Sequence, residues 1–171
     1  IVVLSGCGTT ETLTCTSSNT VGTLTSNTTY MVEYQGNDVQ MLTVTYDYSD
    51  DHIDGVGTGT DGTTNDDETD TDDDGIVDGV VGEALDDVVT GITDGILDIA
   101  GIRTRHNTRF GSYTNTEGFT TMIDSNNDTD YKVTYTYDLN KLSDADITNF
   151  GISRDLSTLR TGYTDRGLTC K

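Results

Sequence analysis

A chain of 171 residues is most simply one domain, long enough to bury a core without metals or many disulfides. Its formal charge of −21 sits wholly in the first 102 residues: all nine Lys and Arg lie at or after Arg103, where nine of the 30 acidic residues balance them. Phosphate is repelled by such a surface, which argues against nucleic acid and anionic membrane as partners of the N-terminal half and favours cations, a basic partner or high salt. No apolar run approaches the roughly 18 residues of a membrane-spanning helix.

Residues 1–9 stand apart from the rest. Leu4-Ser5-Gly6-Cys7 resembles a bacterial lipobox, in which an apolar residue and two small ones precede a Cys that is acylated after cleavage, so that its acyl chains hold the protein at the membrane. The same residues also read as a β-strand, Ile1 to Leu4, ending near Cys7.

Residues 10–171 read as a single α+β domain. Thr10 to Thr16 predicts a short polar strand containing Cys15, and the Ser/Asn/Thr/Gly-rich stretch from Ser17 to Thr28 predicts a loop. A hairpin follows. Tyr30, Val32 and Tyr34 alternate with polar residues, Gln35-Gly36-Asn37-Asp38 supplies the turn, and Leu42, Val44, Tyr46 and Tyr48 continue one apolar face. Residues 50–74 turn to Gly, Thr and Asp with almost nothing apolar, so a mobile or cation-ordered acidic loop is expected there.

Ile76, Val80, Ala84, Val88, Ile92, Ile96 and Ala100 recur at helical spacing with partners one residue away, predicting a long amphipathic helix over Ile76–Ala100 that covers a sheet face and stops at Gly101. Arg103, Arg105, His106 and Arg109 then gather a third of the basic residues, either as an anion site or as cations that neutralise the helix C-terminus. Strands are expected at Ser112–Ile123 and Tyr131–Leu139, joined by a turn over Asp124–Asp130; the second alternates without a fault. Ser143 and Asp146 form a capping box for a short helix that Gly151 breaks, Ser153 caps another from Arg154 to about Tyr163, and Leu168–Cys170 closes the chain as a strand.

Three cysteines leave one over. With Cys7 set aside, Cys15 and Cys170 form a natural pair that requires an oxidising compartment. No Cys-x-x-Cys exists, and His52 and His106 lie far from any Cys, which disfavours zinc. Asp70, Asp72, Asp74, Ile76 and Asp78 resemble a calcium loop, with alternate carboxylates, Gly75 for the sharp turn and the Ile76 carbonyl as a ligand. Val81 stands where a bidentate Glu belongs, so weak calcium binding is expected. Asp124, Asn126, Asp128 and Asp130 repeat the alternation without the Gly and read as a hairpin turn. Asn27 and Asn127 fit glycosylation sequons.

The segments LSGCG, ETLTCTSSN, YMVEYQGNDVQMLTVTY, YKVTYTYDL, NKLSDADITNFGIS and GYTDRGLTCK together resemble small uncharacterised cell-envelope lipoproteins of Gram-positive bacteria. The resemblance implies an acylated Cys7, a flanking pair at Cys15 and Cys170, and a small α+β domain of a group for which no enzymatic activity is established. The expected fold is an antiparallel sheet of four to six strands with the long helix on one face and short C-terminal helices beside it. The expected function is a non-enzymatic extracytoplasmic protein anchored to the membrane through Cys7. Its rival is a self-assembling extracellular subunit, a filament or surface layer, that donates Ile1–Leu4 to a neighbouring copy and is stabilised by calcium. No acid/base pair stands out among so many carboxylates, so catalytic residues are expected to be none.

Overall fold

The computed structural model describes residues 9–51 and 98–171. Within them a six-stranded antiparallel sheet in the order β4-β5-β3-β2-β1-β6 is covered on one face by three helices, an α+β architecture. The strands are β1 (Glu11–Val21), β2 (Leu24–Gln35), β3 (Asp38–Asp50), β4 (Phe119–Asn126), β5 (Asp130–Asp138) and β6 (Thr169–Cys170). The helices are α1 (Ile99–Phe110), α2 (Asp144–Phe150) and α3 (Leu156–Asp165). Among the described residues no helix is long and apolar enough to cross a membrane.

Alternation sets which face is buried. In β5, Tyr131, Val133, Tyr135 and Tyr137 point to the helices while Lys132, Thr134 and Thr136 stand half-exposed on the other side. β3 does the same with Leu42, Val44, Tyr46 and Tyr48, and the register places Tyr46 opposite Val133 and Tyr48 opposite Tyr131. Such a one-sided sheet carries polar residues outward. Thr169, Thr16, Thr29, Thr45 and Thr134 stand in one cross-strand row on that outer face.

Ser17–Thr28, expected as a loop, is strand instead. β1 and β2 pair without interruption from Glu11↔Tyr34 to Val21↔Leu24, and a two-residue turn with Gly22 at φ 62° reverses the chain. β-branched Thr suits a pleated surface. The polar residues of the inner face are small where the partner is large: Ser26 lies opposite Tyr48 and Thr28 opposite Tyr46, and both are buried. The β2–β3 hairpin stands as expected, with Gly36 at φ 66° in its turn and a register shift at Glu33/Tyr34. The first of the two later strands starts at Phe119 rather than Ser112, because Gly111–Tyr113 is a 3₁₀ turn and Gly118 enters the strand at φ 88°.

Gly118 has no room for a side chain. A Cβ there would lie 2.9 Å from the Asp138 carbonyl oxygen, 2.9 Å from the Lys141 Cβ and 3.0 Å from the Leu142 backbone nitrogen. Gly118→Ala therefore combines a left-handed backbone with a backbone clash, and we expect it to lower unfolding free energy by about 2 kcal/mol or more; chemical denaturation measures this, and an unchanged midpoint would refute it.

The Ile76–Ala100 helix lies outside the described residues except for its last three positions, and there its expected end is a beginning. Asp98 caps α1 by accepting from the Gly101 N–H at 2.7 Å, so Gly101 sits in the first turn of a helix and ends none. Ile99, Ile102, His106 and Phe110 form the buried stripe of α1, which lies over β3 and β5.

The capping box on α2 is present in full: the Asp146 N–H reaches Ser143 Oγ at 3.1 Å and the Ser143 N–H reaches Asp146 Oδ2 at 3.3 Å. Gly151 ends that helix at φ 63°. The next helix is capped by Asp155 rather than Ser153, its carboxylate accepting from the Thr158 N–H at 2.8 Å. Hydrogen bonds from the Ser157 hydroxyl, first, and from Thr158 hold the Asp155 carboxyl at about 2. Asn37 in the β2–β3 turn donates to Asp155 and accepts from the Leu156 N–H through its carbonyl at 3.0 Å, which pins the start of α3 to the sheet. Phe150 of α2 packs on Phe119 and Tyr137, and Tyr163 of α3 stacks 4.5 Å from Tyr30.

Candidate functional site

The densest polar chemistry inside the described residues is a histidine among tyrosines. α1 carries His106 on its buried stripe, and alternation in β3 and β5 aims Tyr48 and Tyr135 at it from below. The imidazole Nε2 lies 3.1 Å from the Tyr48 hydroxyl and Nδ1 lies 3.0 Å from the Tyr135 hydroxyl. A neutral imidazole donates from one nitrogen and accepts at the other, so one tyrosine accepts and the other donates. Tyr46 meets the ring edge-on at 5.0 Å, Tyr131 at 5.5 Å, and Phe110 stacks from the same helix at 6.1 Å.

Burial without a neighbouring carboxylate decides the charge. His106 is fully buried, and desolvation drives its imidazole down to about 4. The same burial raises the hydroxyls of Tyr48 and Tyr135 far above their ordinary range. Both ring nitrogens are occupied and no face of the ring meets solvent. The arrangement fits a neutral internal tie between helix and sheet, not a base that reaches a substrate.

The basic group around His106 disperses over α1. The Arg103 guanidinium donates to the Asn127 carbonyl in the β4–β5 turn at 2.8 Å and lies 5.9 Å from the Tyr131 ring. Arg109 sits in the last turn over the Phe110 ring, beside a cavity of about 250 Å³ lined by Phe110, Tyr113, Asn149 and Phe150. These cations lie on the helix, not beyond its end, and His106 points inward, so they do not converge on one anion. A larger groove of about 580 Å³ opens over β1, β2 and β6 and is lined by Thr16, Ser18, Asn27, Thr29 and Thr169 with Gly167 at its rim. Its walls offer hydroxyls and amides and no titratable group.

The cysteine pair is formed. Cys15 and Cys170 face each other across β1 and β6 and are disulfide-bonded, Cys15 being fully buried. The Thr14 and Lys171 backbones exchange hydrogen bonds of 3.1 and 2.9 Å beside it. That places the cysteines at a non-hydrogen-bonded pair, where side chains come closest.

Cys7 and the calcium candidates Asp70, Asp72, Asp74, Ile76 and Asp78 lie outside the described residues, as does His52. Among the described residues no group of three or more His, Cys, Asp and Glu is placed to hold a metal ion. The Asp124–Asp130 alternation resolves into the end of β4 and a turn: Asn127 Oδ1 accepts from the Thr129 and Asp130 amides at 2.9 and 2.7 Å. The His106 tie lies beyond the helix expected to stop at Ala100; Asp98 followed by Ile99, Ile102, His106 and Phe110 at three- and four-residue spacing is the signal that marks it.

No protein-family model matches the chain, and no curated protein matches it. Among solved structures, the NMR structure of a protein from Streptococcus pneumoniae TIGR4 aligns over 100% of this chain and 90% of its own, with 11% identity and a TM-score of 0.47. A likeness that loose carries neither a function nor a residue role to this chain.

Proposed function

We propose that this chain is a non-enzymatic protein of the cell envelope, extracytoplasmic and held to the membrane by lipid on Cys7, with a binding role exercised by the domain beyond it. The observation that carries the reading is the Cys15–Cys170 disulfide, which joins the first and last strands of the sheet, with Cys15 buried and Cys170 partly so. Disulfides of that kind persist in oxidising compartments and are rare in the cytosol. Leu4-Ser5-Gly6-Cys7 supplies the acylation sequence, and the short spacer to β1 would hold the domain close to the bilayer. The surplus of negative charge would keep the domain off anionic lipid. The hydroxyl-lined groove, free of titratable groups, suits recognition of a polar uncharged ligand better than acid/base chemistry.

Intact mass of the native material, with and without reduction, tests this. A chain beginning at Cys7 with the mass of a diacylglycerol, gaining two hydrogens on reduction, is the expected result. An unlipidated chain that keeps Ile1 would overturn the anchor and favour the rival, assembly through a donated strand.

A further inference from the structure

Among the described residues the sheet has two edges of very different character. β6 is two residues long and is tied covalently to β1. β4 is eight residues long and has no strand beyond it. The phase of the β4–β5 ladder follows from one bond: the Asp138 N–H donates to the Gly118 carbonyl at 2.7 Å while Phe119 stands opposite Tyr137. Thr120 and Met122 therefore turn their backbone groups toward β5, and Phe119, Thr121 and Ile123 turn theirs away. The Phe119 N–H is taken by the Thr116 carbonyl at 3.1 Å. The amides and carbonyls of Thr121 and Ile123 line the open edge.

Exposed apolar side chains flank those groups on both faces. Met122 is 57% exposed on the threonine side and Ile123 48% exposed on the helix side. They are two of the three large hydrophobics exposed among the described residues, and Phe119-Thr-Thr-Met-Ile carries no charge. Sheet edges left like this are templates for another strand, and proteins commonly blunt them with charge, proline or brevity.

We propose that β4 pairs antiparallel with β4 of a second copy, about a two-fold axis at Met122. In that register Thr121 faces Ile123 of the second copy, and the four outward backbone groups of these two residues find partners on each side. Met122 meets Met122 of the second copy at a non-hydrogen-bonded site, where side chains approach most closely. The charge distribution argues for a second copy as the occupant. Residues from Arg103 onward, which include β4, balance to zero, whereas the charge of −21 lies before them, so this contact joins the neutral portions of two chains. The register shift between Ile123 and Ser125, with Asp124 inside it, ends the edge beyond Ile123. Pairing of this kind is isologous: among the described residues it consumes both β4 edges, leaves β6 and the length of β1 that β6 does not cover at each end, and closes about the two-fold axis as a dimer.

Sedimentation of the full chain with Cys7→Ser tests the proposal. We expect a monomer–dimer equilibrium that tightens as salt screens the repulsion between two acidic chains. Met122→Lys, which sets like charges face to face at the axis, weakens association at least tenfold. Met122→Cys in the same background cross-links under oxidation, since its Cα atoms would lie about 4.5 Å apart, within disulfide reach. Thr120→Cys, which would face Asp124 of the second copy, does not. A chain that stays monomeric at every concentration and salt, equal cross-linking at both positions, or multimers that survive Met122→Lys and vanish on deletion of Ile1–Leu4 would each overturn it.

Discussion

Reduction of Cys15–Cys170, or its removal by C15A with C170A, lowers the unfolding free energy by about 5 kcal/mol, the chain-entropy value for so long a loop. The bond closes a separation of 155 residues, so in the unfolded chain it confines nearly everything. Its removal frees an unfolded ensemble that includes the acidic stretch before Arg103, whose self-repulsion favours expansion. In the folded state the loss is local: β6 meets β1 at only two register pairs, Cys15↔Cys170 and Thr16↔Thr169. A loss of that size is a large part of the stability of an ordinary domain. Urea denaturation with and without reductant measures it; a shift below about 1 kcal/mol would show that the reduced chain already holds its ends together. Because the effect acts through the unfolded chain, the four central strands should keep their native spectrum in the reduced folded state, and the last residues should lose amide protection first.

What could be read from the sequence tracks how one-sided each element is. β5 alternates tyrosine and valine against Lys and Thr, so period and face were both legible, and the register Tyr46↔Val133 follows from matching apolar sides. The capping box at Ser143 and the left-handed Gly151 are local chemistry and needed no tertiary context. Ser17–Thr28 failed because its burial depends on a neighbour: Ser26 and Thr28 look like loop residues until the tyrosines opposite them in β3 are known to fill the space. α1 failed for a related reason. Its buried stripe passes through His106, which counts as polar in any apolar period, and its start at Asp98 follows directly on an apolar repeat that reads as one continuous helix. The disulfide pair was legible by count, given that Cys7 was set aside; the Tyr48–His106–Tyr135 contact was not, since it joins residues 58 and 29 positions apart.

That contact gives the fold an acid-sensitive component of stability. His106 is held neutral in the native state at about 4, against about 6.5 in an unfolded chain. Between those values the unfolded state binds a proton that the native state does not, so stability falls as pH falls, by about 1.4 kcal/mol per pH unit and about 3 kcal/mol across the window. Above pH 6.5 the contribution is fully present; below pH 4 both states are protonated and no more is lost through this group. The groups that face the ring give a cation no anionic partner: Tyr46 and Tyr48 from β3, Tyr131 and Tyr135 from β5, and Phe110 from α1, with the Arg103 guanidinium near Tyr131 adding positive charge. Asp155, held at about 2, loses its contribution only below the ordinary carboxylate range, as does Asp138 beside Lys141, so these two do not overlap the window. His106→Gln keeps an amide to bond a tyrosine hydroxyl and removes the titration. We expect it to cost stability at pH 7, where one of the two hydroxyl bonds is lost, and to flatten the slope between pH 6.5 and 4 relative to the parent chain. Unfolding free energies of the two proteins that run parallel across that range would mean that the imidazole is protonated in the native state, and the tie between α1 and the sheet would then have to be a charged one.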